Sequence, residues 1–183
     1  MSEIFLIGDT HFAHKRIIEF EQEHRPFSTI LEHDEALIDN WNNAVSKRDV
    51  VYHLGDVCFN LARFHEIFPR LNGIKKLVAG NHDLFPASEY LKYFDDIYGV
   101  KPIKIREEGF SCSAVLSHMP IHPMSASRWG WNIHGHLHKH NVEITASCTY
   151  TCVSVEQIGL KPIALKELVR IKRENWRPRQ CNV

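Results

Sequence analysis

An α/β fold, a two-sheet β-sandwich flanked by helices, is predicted by three features of the 183-residue sequence. Short apolar runs recur and each ends in a polar loop. An amphipathic helical pattern separates the first two runs, and in the second half strand-like runs follow one another without long helices. Ile4-Phe5-Leu6-Ile7 passes directly into Gly8-Asp9, the mark of a buried strand entering a loop. From Thr29 to Val45, the residues Ile30, Leu31, Leu37, Ile38, Trp41 and Val45 fall on one helical face, and Thr29 with Glu32 forms a capping-box pattern. Asp49 to Leu54 ending in Gly55-Asp56, and Ile74 to Val78 ending in Gly80-Asn81-His82-Asp83, repeat the pattern of strand and polar loop. Leu61 to Leu71 and Ser88 to Phe94 read as further helices, so the first half alternates strand and helix. Ile103 to Ile105, Ala114 to Ser117, Trp131 to His134 and Tyr150 to Val155 read as strands of a second sheet, mixed or antiparallel, packed on the first. Ala164 to Ile171 restores a helical period.

At roughly 150 residues per domain the length supports one domain, 1–183. Residues 172–183, with Lys172, Arg173, Arg177 and Arg179, are expected to form a flexible, solvated basic tail. Lys plus Arg and Asp plus Glu both number 22, so the global basic charge of a nonspecific nucleic-acid binder is missing. Hydrophobic residues at 44% argue against disorder. Five Cys without a Cys-x-x-Cys pair point to a reducing, cytoplasmic setting. No signal segment is read at the start, and no stretch approaches the roughly 20 apolar residues of a membrane span, so no membrane partner is expected. The count that points to chemistry is 13 His, six of them between His118 and His140.

Asp9-Thr10-His11 puts a carboxylate and an imidazole two residues apart at a strand end, where a curled loop would bring both to one ion. Gly55-Asp56 alone is an ordinary turn signal. Gly80-Asn81-His82-Asp83 collects an amide oxygen, an imidazole and a carboxylate in one tight turn. Ser117-His118 ends another strand-like run. In Gly135-His136-Leu137-His138 the two imidazoles share a face if the segment is extended, so they can ligate one metal or two adjacent ones; His134 and His140 share that parity. Each motif has an ordinary structural reading, and their joint placement at strand ends argues against it. Seven mixed oxygen and nitrogen ligands are too many for one ion and suit two transition-metal ions, Mn, Fe, Zn, Ni or Co, better than Mg or Ca.

These five motifs, in this order from Ile4 to His138, resemble those of the calcineurin-like metallophosphoesterase superfamily. With no capping domain after the last motif, the chain is similar to its small, single-domain phosphodiesterase branch. The resemblance implies an α/β/β/α fold and two divalent transition-metal ions, manganese favoured. Asp9, His11 and His138 would hold the first ion, Asn81, His118 and His136 the second, and Asp56 would bridge them. His82 would be the catalytic imidazole, with Asp83 holding it, and water activated between the ions would attack phosphorus directly.

In the protein Ser/Thr phosphatases of this superfamily the second motif continues as Asp-Arg-Gly, whereas here it continues as Val57-Cys58-Phe59-Asn60. A missing arginine penalises a monoester dianion more than a diester monoanion. A phosphodiesterase is therefore expected, its phosphoester substrate including nucleotide or nucleic-acid derivatives. Arg128 is the candidate substrate contact, with Lys139, Lys15 or Arg16 as other cation sources. The rival readings are a phosphomonoesterase acting on a small metabolite or nucleotide, and a non-catalytic binding scaffold like the retromer-type relative. The complete ligand set and His82 weigh against the scaffold. His14, His53 and His122 read as structural residues near the motifs, and His24, His33 and His65 as facing solvent. Trp129 and Trp131 read as packing under their loop, and Cys148 and Cys152 as core thiols.

Overall fold

The structure is a computed structural model that describes residues 2–107, 109–142 and 148–175. The first half runs β1 (Ile4–Ile7), the single turn α1 (Ile17–Phe20), α2 (Ile30–Ala44), β2 (Val50–His53), α3 (Leu61–Ile67), β3 (Ile74–Val78), the single turn α4 (Ala87–Tyr90) and β4 (Asp96–Tyr98). The second half runs β5 (Val100–Glu107), β6 (Phe110–Ser117), the single turn α5 (Pro123–Ala126), β7 (Trp131–His134), β8 (Thr149–Cys152), β9 (Ile163–Ala164) and α6 (Leu165–Asn175). The first sheet has the order β4-β3-β2-β1-β9, parallel except where β9 pairs antiparallel with β1. The second has the order β5-β6-β7-β8, antiparallel between β5 and β6 and parallel from β6 to β8. Both sheets are thus mixed and flanked by helices, as expected.

The two-residue period of a strand separates the layers. Phe5 and Ile7 of β1 join Leu37, Ile38 and Trp41 of α2 in a core between sheet and helices. Leu6, facing the other way, joins Leu116, Ile133 and Val153 between the sheets, where Leu165, Leu168 and Val169 of α6 also pack. The capping box that starts α2 is present: Glu32 N–H donates to Thr29 Oγ1 at 3.2 Å and Thr29 N–H to the Glu32 carboxylate at 3.1 Å.

Several elements depart from expectation. The helix read from Ser88 to Phe94 is only the turn α4, and Leu61 to Leu71 divides into α3 and a 3-10 turn at Phe68–Arg70, where Pro69 lacks the N–H that would continue an α-helix. Strands β4 and β9 are too short to show a pattern of their own. Leu31 is 58% exposed, while His33, expected to face solvent, is fully buried with Asp34. His24 and His65 are half-buried against carboxylates. Lys172 and Arg173 lie in α6 rather than in a frayed tail, and Lys172 Nζ sits 4.5 Å over the Trp131 ring. Residues 176–183 of the expected tail lie outside the described residues. Among those described, no helix is long and apolar enough to cross a membrane.

Candidate metal centre

Strands β1, β2 and β3 run parallel, as do β6 and β7, so the loops that follow each set leave one edge of their sheet. From these ends come Asp9 and His11, Asp56, Asn81, His118, and His136 with His138. The structure gathers them in two groups. Ligand atoms of Asp9, His11 and His138 lie within 4.8 Å of one another, and so do those of Asp56, His118 and His136. Asp56 Oδ2 is 3.6 Å from His11 Nε2, and Asp56 Oδ1 is 3.4 Å from His118 Nε2, so one carboxylate faces both groups. Asn81 Oδ1 is 2.9 Å from His118 Nε2, on the second side.

The last motif is not extended, which corrects the shared-face reading. Strand β7 stops at His134, and His136 and His138 have φ of 69° and 51°, so the chain curls and sends one imidazole to each group. His134, buried in β7, donates its Nδ1–H to the Gly135 carbonyl and does not join them. Asp9, His11 and Asp56 also have positive φ, so five of the seven candidate ligands adopt a left-handed backbone. Such residues cost on the order of 1–3 kcal/mol each and persist where the surroundings over-determine them. Gly135 shows how tight these surroundings are, since a Cβ there would lie 2.4 Å from Asp9 Oδ2.

The donor set fits divalent transition metals. The Leu54 carbonyl can only accept, so His118 donates its Nδ1–H to it at 2.7 Å and turns a lone pair on Nε2 toward Asn81 and Asp56. His138 donates its Nδ1–H to Glu156 at 2.9 Å, leaving Nε2 for the first group. His11 Nε2 is buried without a hydrogen-bond partner. His118 and His138 thus turn lone pairs toward the carboxylate oxygens, an arrangement that a cation satisfies. Burial holds His11 well below the usual histidine range, in the neutral form that a metal requires. Burial also raises Asp9 to about 6, against the pull of His118, His138 and the Ser154 hydroxyl, which donates at 2.7 Å.

A buried network supports the first group, and nothing in the local sequence pattern points to it. Arg25, fully buried, donates to the carbonyls of Asp9 at 2.6 Å and Thr10 at 3.0 Å and to Glu156 Oε1 at 2.8 Å. It also donates to His33 Nε2 at 2.9 Å, so His33 donates from Nδ1 to Asp34, and Asp34 accepts the Ala13 N–H. Arg25 therefore ties the strained loop of Asp9 to the carboxylate that orients His138. Burial opposes ionisation of Glu156, yet the His138 bond and the Arg25 charge hold it down at about 2.

Among the described residues no hydrogen bond joins Asp83 to the His82 ring. Asp83 Oδ2 accepts the N–H groups of Asp56 and Gly80, and its Oδ1 accepts that of Val57. With both oxygens engaged, the carboxylate secures the Asp56 loop. His82 is exposed at the rim, its ring centre 6.2 Å from that of His11 and 5.1 Å from that of Phe59. His14 stacks on Phe59 at 4.0 Å and meets His11 Nδ1 at 3.1 Å. Arg128 is exposed, 5.1 Å over Trp129, and no hydrogen bond or ion pair among the described residues joins it to a candidate ligand. Lys139 pairs with Glu21 at 3.5 Å, and Arg16 lies 4.5 Å over Phe20.

Two ligand groups, Asp9 with His11 and His138 and Asp56 with His118 and His136, with Asp56 facing both at the strand ends of two packed sheets, fit one class, the metal-dependent phosphoesterases. Within that class the chain belongs to the calcineurin-like phosphoesterase family, whose family model matches residues 2–174. It is 35% identical over 178 residues to the uncharacterised protein MJ1445 of Methanocaldococcus jannaschii, covering 93% of this chain and 92% of that protein. It is 27% identical over 165 residues to the gene 66 protein of Mycobacterium phage L5, covering 75% and 78% respectively. Among solved structures, AQ665 of Aquifex aeolicus, a protein of unknown function, superposes with a TM-score of 0.73 at 28% identity over 93% of this chain and 100% of that one.

Proposed function

We propose that the chain is a phosphodiesterase using two divalent transition-metal ions, manganese favoured, in a reducing cytoplasmic setting. The observation that carries this reading is the Asp56 carboxylate, which turns one oxygen to each ligand group. When bound, the ions supply Lewis acidity, activating water for attack on phosphorus and offsetting charge on the phosphoryl oxygens. The chain's own residues do the rest. Asp56 would hold both ions, one oxygen toward each ligand group, while Leu54 and Glu156 keep His118 and His138 in the tautomers that present Nε2. His82, at the rim, gives a proton to the leaving oxygen.

Preference for a diester follows from the cations. Val57 stands where an arginine would clamp a dianion, and Arg25 is buried and spent on carbonyls and Glu156. Arg128, Arg16 and Lys139 are each placed on other partners. The test is reconstitution of stripped protein with Mn, Ni, Zn or Mg, comparing an aryl diester with the matching monoester. Metal-dependent turnover with higher kcat/KM for the diester is expected. Turnover by metal-free protein would overturn the metal reading, and a clear monoester preference would overturn the diester reading.

A further inference from the structure

A cavity of about 410 Å³ opens beside the second ligand group, with Asn81 and His118 forming part of its wall. Its size lies within the range of roughly 300–1,000 Å³ typical of small-molecule sites. The outer wall is made by Gly99, Val100, Met119, Pro120 and Ile121, and no Lys, Arg, Asp or Glu lines it.

The polar groups of this wall are largely engaged elsewhere. Ser117 Oγ donates to the Met119 carbonyl at 2.7 Å and accepts from Asn132 at 2.9 Å. The Ile121 N–H donates to Asn132 Oδ1 at 2.8 Å, and the Ile121 carbonyl accepts from Tyr150 at 2.7 Å. Pro120 has no N–H to offer. What the wall presents is apolar, with Val100 47% and Met119 48% exposed. An occupant is therefore held by burial of uncharged surface and not by ion pairing.

Position selects which part of a substrate enters. The His82 backbone N–H donates to Asp56 Oδ1, but its ring turns toward those of His11 and Phe59, on the first side, and does not line the cavity. The leaving oxygen belongs beside His82, so the substituent that reaches the cavity is the one retained on phosphorus in the product. We infer that this cavity is the subsite for the retained ester substituent of a phosphodiester, and that it takes an uncharged aromatic group of about the size of a nucleobase. The inference rests on the phosphodiesterase reading above and adds to it the side of the site and the chemistry that choose the substrate.

Gly99 gives a direct test. A Cβ placed there meets nothing within 4 Å and Gly99 is not in the left-handed region, so Gly99→Leu adds bulk at the cavity without backbone strain. Manganese-loaded wild type and Gly99→Leu are assayed on three diesters of 4-nitrophenol, whose other substituent is methyl, phenyl or 5′-thymidyl. Wild type is expected to favour the two aromatic-bearing substrates over the methyl diester by roughly 10- to 100-fold in kcat/KM. Gly99→Leu is expected to remove most of that difference while leaving the methyl diester nearly unchanged. Equal kcat/KM for methyl and aromatic diesters in wild type overturns the inference, as does an equal loss on all three in the variant. If loaded wild type turns over no diester, the phosphodiesterase reading fails, and binding still tests the cavity. In metal-free protein, amide NMR shifts at Gly99, Val100 and Ile121 with phenylphosphonate and not with methylphosphonate support an aromatic subsite; equal or absent shifts overturn it.

Discussion

Asp83 Oδ2 accepts the backbone N–H of Asp56 at 2.9 Å, and the same oxygen accepts that of Gly80 at 2.7 Å. The carboxylate thus joins the loop after β2 to the turn after β3, holding the backbone of the residue that faces both ligand groups.

Asp83→Asn sets an amide N–H₂ against backbone N–H groups. The expected result is a loss of about 1–3 kcal/mol in stability, read by thermal unfolding. A drop in metal affinity of about 10- to 100-fold, read by metal titration, should accompany it. Unchanged metal binding with only kcat reduced would restore the role of holding His82.

Asp56→Asn should weaken metal binding to both groups, because its oxygens lie 3.6 Å from His11 Nε2 and 3.4 Å from His118 Nε2. Elemental analysis after dialysis against limiting manganese is the check. Retention of two equivalents would show that the aspartate bridges nothing.

His82→Ala should leave metal content nearly unchanged and lower kcat by roughly 10² to 10⁴. The loss should shrink for nitrophenolate, which leaves without a proton, and grow for an alkyl alcohol. An equal loss across leaving groups would assign His82 to charge stabilisation on the phosphoryl oxygens, and loss of a metal equivalent would make it a ligand.

Arg25→Met leaves the Glu156 carboxylate without its guanidinium in a buried site, a change that costs about 3–5 kcal/mol. Glu156→Gln is the milder companion, and should reduce affinity for the first metal while the second is kept, since Glu156 pairs with His138 and Arg25, both on the side of the first group. Sequential metal titration separates the two events; equal weakening of both would contradict a role confined to the first group.

His53 governs part of the acid stability. Thr10 Oγ1 donates to the Val57 carbonyl at 2.8 Å, so His53 donates its Nε2–H to that hydroxyl at 2.9 Å and leaves Nδ1 buried and unpaired. Burial pushes its pKa from 6.5 down to about 3. The unfolded imidazole takes up its proton as pH falls through 6.5 while the native one stays neutral. The stability this group contributes is therefore full above 6.5 and lost progressively toward 3. His53→Gln should flatten the dependence of the denaturant midpoint on pH across that window, and an unchanged slope would exclude the group.

The local pattern of the sequence determines the strands and the candidate ligands. Ile4–Ile7, Ile74–Val78 and Trp131–His134 are strands over the residues that the apolar runs mark, because runs of four or five residues closed by glycine or polar residues are too short for a helix and pack extended between neighbours. The candidate ligands are legible for the same reason, since each follows a strand directly and parallel strands bring their ends to one edge. Arg25 and Glu156 are not, because they stand 131 residues apart and neither carries a spacing signal. Asp83 is legible as part of a motif, yet its partners are backbone N–H groups of a loop 26 and 27 residues away. The left-handed turn that sends His136 and His138 to different groups depends on Asp9 accepting the His136 N–H, a contact across 127 residues. Periodicity encodes which face of an element is apolar. Which distant carbonyl, amide or carboxylate a buried polar group reaches is set only when the sheets pack, because only then does losing water force each of those groups to find its partner.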